Sequence, residues 1–185
     1  MRSLLVGVAL VTAAGIPSMV GHSTAQSARP YAGMQARAIK ALSPEQIADL
    51  KAGRGMSLAL AAELNGYPGP RHVLEFGDQL GLSDQQRANV QRLFEAMTAE
   101  AIPLGEKLIA QEAELDALFA RGVVTATSLG AATAAIGAIQ AELRNTHLKY
   151  HLLTSGLLTA AQMQRYSELR GYAEEDIGRQ HRPNH

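Results

Sequence analysis

Apolar side chains recur through most of this chain at alternating spacings of three and four, the period of an amphipathic helix. The longest series runs Val90, Phe94, Met97, Ala101, Leu104, Leu108, Leu115 and Leu118, with Gln111 as its one break. A second runs Leu129, Ala132, Ile136, Ile139, Leu143, Thr146, Tyr150, Leu153 and Leu157. Each is a heptad seam and predicts a long helix. Ser83 with Gln86 three residues later is a capping box that starts the first, and Arg121-Gly122 ends it. Pro103 removes a backbone donor and predicts a bend. The turn from Val123 to Thr127 is so short that the two helices, roughly 30 residues or more each, must pair as an antiparallel hairpin.

The same punctuation divides the rest of the chain. Leu42-Ser43-Pro44-Glu45-Gln46 offers an N-cap Ser, Pro at the first helical position and Gln at the third, so a short helix starts there and stops at Gly53 and Gly55. A second short apolar stretch, Met56 to Leu64, is closed by the breaker cluster Asn65-Gly66-Tyr67-Pro68-Gly69-Pro70, read as a hinge. After Pro70 another helix reaches Leu80, with Gly81 as its stop. Leu158-Thr159-Ala160-Ala161-Gln162 starts a last helix that Gly171 ends. The organisation is then an arm over 26–41 with no helical or strand period, read as flexible, short helices and hinge over 42–69, a hairpin domain over 70–172 and a disordered tail over 173–185.

Composition sharpens this picture. The apolar residues, 46 % of 185, are dominated by Ala and Leu and poor in the β-branched and aromatic residues that strands favour, so the fold class is all-α. Seventeen basic side chains balance 17 acidic ones, which argues against holding nucleic acid or an anionic membrane by a broad positive field. The absence of Cys excludes disulfides, Cys-ligated zinc, iron–sulfur clusters and thiol nucleophiles. Met1 and Arg2 precede an apolar run from Leu4 to about Val20, and Ser23-Thr24-Ala25 follows, so residues 1–25 read as a signal peptide cleaved after Ala25. The run is shorter than the roughly 18 apolar residues a membrane anchor needs, and Gly15 and Pro17 interrupt it. The expected location is the periplasm.

Three helix starts share one pattern: Leu42-Ser43 with Gln46, Leu82-Ser83 with Gln86, and Leu158-Thr159 with Gln162. Any single copy is what a capped helix with a hydrophobic staple requires. Taken with the signal peptide, the hairpin and the stretch His147-Leu148-Lys149-Tyr150-His151 ahead of Leu157-Leu158-Thr159-Ala160-Ala161-Gln162, the chain resembles the LTXXQ periplasmic family of Spy-, CpxP-, ZraP- and CnrX-like proteins over about residues 70–172. The resemblance implies a bent helical hairpin, dimerised into a curved cradle, that works in the envelope stress response or in heavy-metal resistance. Spy-like members are chaperones without ATP, CpxP-like members also restrain a sensor kinase, ZraP-like members bind zinc, and CnrX-like members sense nickel or cobalt. A homodimer, unfolded or misfolded envelope proteins as clients, and a membrane sensor kinase or anti-sigma factor are the partners expected on this ground.

Two kinds of site are open to such a chain. Ile102, Ile109, Phe119, Leu148 and Leu152 are apolar at positions off the seams, and they either hold clients or are covered by the short helices or a second protomer. His147 and His151 stand four apart on one helical face, a spacing that lets two imidazoles reach one metal ion. A turn near Val124 sets Met97 beside His151 and Glu100 near His147, with His72 on the preceding helix as a further imidazole. Such a donor set suits Zn, Ni, Co or Cu(II), the thioether tilting it toward copper, whereas two amphipathic His covering the hairpin explain the same residues without a metal. His181 and His185 in the tail add weak metal affinity at most. Glu112, Glu114 and Asp116 read as a solvated face, and no phosphate loop, nucleophile elbow or Glu-x-x-His pair occurs, so no catalysis is expected.

Overall fold

A computed structural model describes residues 30–172 of the chain. The expected signal peptide, the first residues of the arm and the tail with His181 and His185 lie outside these. Among the described residues six α-helices follow one another: α1 (Pro44–Lys51), α2 (Leu60–Glu63), α3 (Pro70–Glu75), α4 (Asp84–Ala120), α5 (Ala126–Ser155) and α6 (Ala160–Leu169). No strand occurs among the described residues, and the chain is all-α. The two long seams form α4 and α5, which pack along one another. Glu100 on α4 bonds Lys149 and Tyr150 on α5, and Gln86 near the start of α4 bonds the Leu157 carbonyl just past the end of α5, so the pair runs antiparallel. α4 carries Pro103 within its 37 residues as one uninterrupted helix about 55 Å long.

The observed seam departs from the expected one on α5. Ile136, Leu143, Thr146, His147, Tyr150 and Thr154 are buried, whereas Leu129 and Leu153 are exposed. A straight helix of 3.6 residues per turn drifts about 20° per heptad from a 3.5-residue seam. By the last turn the inward position has moved from Leu153 to Thr154, which bonds the Tyr150 carbonyl through its own hydroxyl at 2.7 Å and so enters the core without a polar penalty.

The flanking segment differs more. Met56 and Ser57 adopt left-handed backbone, with φ of 40° and 68°, so the apolar stretch after Gly55 turns before it becomes helical and α2 is a single turn. α3 stops at Glu75, short of the expected Leu80, and the chain reaches Gly81 through turns. The arm is not free from Gly33 onward: Ile39 is buried with Leu42 against Leu50, Ala101, Leu108, Ile136 and Leu143 in one apolar core. Lys40 also meets Asp116 at 3.4 Å. A lone apolar side chain is enough to dock a segment that shows no period, since a fully buried Ile contributes roughly 1.5–3 kcal/mol. A second core gathers Val73, Leu80, Val90, Leu158 and Tyr166, with Phe76 edge-on to Tyr166 at 6.2 Å between ring centres.

α1 lies on α4 where Gly105 leaves room for it. A Cβ at that position would stand 2.4 Å from the Leu50 carbonyl oxygen and 2.9 Å from its carbonyl carbon.

All three expected capping boxes are present, at Ser43, Ser83 and Thr159, and a fourth that the sequence reading missed, Thr125 with Ser128, starts α5. Two of them are joined. Gln86 Nε2 donates to Gln162 Oε1 at 2.9 Å and to the Leu157 carbonyl at 2.9 Å, while Gln162 Nε2 donates to Gln86 Oε1 at 3.1 Å and to the Leu80 carbonyl at 3.3 Å. Each Oε1 also accepts the amide of its own N-cap residue. The position therefore demands an acceptor and a donor on one side chain, which Gln supplies and Glu does not. Gln86→Glu should keep its capping box and its acceptor for Gln162 Nε2 yet lose both bonds donated by the amide nitrogen, to Gln162 Oε1 and to the Leu157 carbonyl, lowering unfolding free energy by about 1–3 kcal/mol in a urea titration. The same substitution at Gln46, whose amide cap is local, should fall within about 0.5 kcal/mol of wild type.

Candidate functional site

Glu63 closes the single turn of α2 and is the one buried carboxylate among the described residues. A buried carboxylate survives only if charge and hydrogen bonds are returned to it. Its Oε1 accepts from the Tyr166 hydroxyl at 2.5 Å and the Tyr172 hydroxyl at 3.3 Å, and meets Arg170 Nε at 3.2 Å. Two imidazoles flank it just beyond bonding range, His72 Nδ1 at 3.9 Å from Oε1 and His151 Nδ1 at 3.8 Å from Oε2. Oε2 itself is buried without a hydrogen-bond partner. Burial, and then the bond to Glu63, push the Tyr166 hydroxyl far above its ordinary range, so it stays a donor.

The breaker cluster builds the wall of this site. The Tyr67 carbonyl lies 2.7 Å from His151 Nδ1, which must carry its proton there to donate. Gly69 lets that ring approach, for a Cβ would sit 2.6 Å from His151 Nε2. Pro70 then opens α3, which carries Arg71 and His72. Together with α4 and the end of α6 these residues enclose a cavity of about 400 Å³, lined among others by Met56, Leu60, Glu63, His72, Phe94, Met97, His151 and Arg170. Its size falls at the small end of natural ligand sites, roughly 300–1,000 Å³.

The expected metal ligands separate. Met97, His151 and His72 do line one cavity. Glu100 does not join them: its carboxylate takes Lys149 at 2.6 Å and Tyr150 at 2.7 Å, both of which hold it ionised, one and two residues past the position that a turn at Val124 sets opposite it. His147 is 2 % exposed and packs against Gly55, with its Nε2 buried and unpartnered. Among the described residues no three His, Asp or Glu side chains are gathered so as to hold a metal ion. Of the expected apolar surface, Phe119 and Leu152 are exposed, at 56 % and 59 %. Ile102, Ile109 and Leu148 are half-buried, Ile109 against the first core and Ile102 close to Gly53.

Glu63, Tyr166, Arg170 and Tyr172 were not foreseen. One signal was available: Glu63 is the only charged residue in the apolar stretch from Met56 to Leu64.

Burial disfavours the charged form of two imidazoles here. His72 is held below its ordinary 6.5 by desolvation and then by the Arg170 guanidinium, and His147 by desolvation and then by His151. Above about pH 6.5 both are neutral whether folded or unfolded; below it the unfolded chain takes up protons that the fold refuses, so stability falls with acidity. The melting temperature should be lower at about pH 5.5 than at about pH 7.5, and His147→Leu should shrink that difference. A melting temperature that holds steady across this range would show that both rings titrate normally.

No helix of the described residues is long and apolar enough to cross a membrane. Comparison with family models, with curated proteins and with solved structures finds no match to the chain.

Proposed function

We propose that this is an exported envelope-stress protein of the LTXXQ type, which binds unfolded or misfolded proteins without ATP and acts as a homodimer. The observation that carries the reading is apolar surface left uncovered on the long pair. Phe119, Val123 and Leu129 stand exposed around the connection between α4 and α5, and Leu152 and Leu153 stand exposed on the last turns of α5. Large apolar side chains grouped at a surface mark places where another chain is held. The joined glutamines support the family reading as well, because they give the repeated Leu-Ser/Thr-x-x-Gln a reason to contain Gln beyond capping.

The test is suppression of light scattering by a chemically unfolded reporter protein diluted from denaturant, with no nucleotide present. Wild type should suppress it at near-stoichiometric ratios, and Phe119→Asp with Val123→Asp should lose most of that effect while melting as before. Equal suppression by the double variant, or none by wild type, defeats the reading.

A second reading, metal binding by a ZraP- or CnrX-like protein, is favoured by His72 and His151 standing on either side of Glu63. A chelating set built on them would need these side chains to close around the ion, since among the described residues no three such donors stand gathered for one. Calorimetric titration of the untagged chain with Zn, Ni, Co and Cu(II) decides it: micromolar binding lost in His72→Ala with His151→Ala supports the metal, and binding unaffected by the two substitutions excludes this set.

A further inference from the structure

The cavity beside Glu63 has an asymmetry that neither reading uses. Its wall is apolar at Met56, Phe94 and Met97, with Leu60 at the mouth. Its charged groups are unequally accessible: the side chains of Arg71, His72 and Arg170 are 57 %, 35 % and 27 % exposed, whereas Glu63 is 7 % exposed. Asp49, the other acid in the wall, is taken by Arg54 at 2.5 Å.

The guanidinium of Arg170 is also fixed in place. Its Nε and Nη2 donate to the Tyr172 hydroxyl at 3.1 and 2.8 Å, and Nε meets Glu63 at 3.2 Å, which leaves Nη1 unengaged among the described residues. Arg71 reaches Glu75 through Nε at 3.0 Å and likewise keeps both terminal nitrogens unengaged among them. Donors held ready at the edge of an apolar cavity suit an anionic head on an apolar body, and a planar guanidinium matches a carboxylate.

We propose that the cavity binds a small amphipathic carboxylate, its hydrocarbon part between Phe94, Met97 and Leu60 and its head on Arg170 and Arg71. One feature favours a different ligand: Glu63 Oε2 lacks a donor, and an alkyl amine would supply one. A neutral amphiphile would need only the apolar wall.

The three are separated by titrating the chain with octanoate, 1-octanol and octylamine, which share a tail and differ in the head, while following the Met97 methyl resonance. Octanoate is expected to shift that resonance with at least about tenfold tighter binding than either partner, since each tenfold step is about 1.4 kcal/mol and a charge-assisted bond supplies that much. Arg71→Gln, at an exposed position bonded only to Glu75, should weaken octanoate about tenfold and leave octanol unchanged with no loss of melting temperature. Leu60→Trp at the half-exposed mouth should abolish all binding. Octylamine or octanol binding as tightly as octanoate, or octanoate failing to move Met97, overturns the proposal. Client binding is measured apart from this, so either can fail alone.

Discussion

Gly105→Ala is expected to destabilise the fold by about 2–3 kcal/mol, although a Gly to Ala change in a helix interior ordinarily stabilises by up to about 1 kcal/mol. The added methyl would stand 2.4 Å from the Leu50 carbonyl oxygen, well inside contact distance, and the obstacle is backbone, which no rotamer change can move aside. α1 must lift, and Leu50, 2 % exposed, loses its place in the core with it. Gly137→Ala is the internal control. Gly137 lies in the middle of α5 with nothing within 4 Å of the added carbon, so propensity alone acts and the variant should gain about 0.5–1 kcal/mol. Denaturant midpoints moving in opposite directions would establish how α1 is seated. A gain at both positions would mean that α1 does not lie on Gly105.

Glu63→Ala should be the costliest single change in the site, about 3–5 kcal/mol. It strands Arg170 and two tyrosine hydroxyls that converge on one oxygen, Tyr166 itself being 1 % exposed. Glu63→Gln keeps an acceptor in the same place and should lose less, because the neutral amide still receives a hydroxyl though it no longer balances the guanidinium. Tyr166→Phe removes one bond to a charged group, worth about 1.5–3 kcal/mol. If the ring of donors acts as a unit, the double variant Glu63→Ala with Tyr166→Phe loses less than the sum of the two. Strict additivity would show that the hydroxyl and the carboxylate do not meet in solution.

What the sequence made legible follows from locality. Ser43, Ser83 and Thr159 announce helix starts because the box they form spans four residues, and Gly122 and Gly171 end helices at positive φ because only their own backbone is concerned. The antiparallel pair was legible because two long seams joined by a short turn have one way to cover each other. The Glu63 site was not, since Glu63, His72, His151 and Tyr166 come from four helices, and the bond that fixes the carboxylate spans 103 residues. Nothing in a helical period says which polar side chains a hinge will carry inward. The expected link of Glu100 to His147 failed for a smaller reason: summing positions about an assumed turn sets register only to within a few residues, enough to replace an imidazole by Lys149 and Tyr150.

The joined amides of Gln86 and Gln162 close a ring through 76 positions of chain, and each amide is at once the cap of its own helix and the latch on the other. The first turn of α4 therefore cannot fray without breaking the latch on α6, and α6 cannot detach without releasing the start of α4. Segments bound in this way open as one cooperative unit. The backbone amides at the starts of these two helices, remote in sequence, would exchange with solvent at a shared rate set by a single opening event, whereas the start of α1, whose cap is private, exchanges on its own.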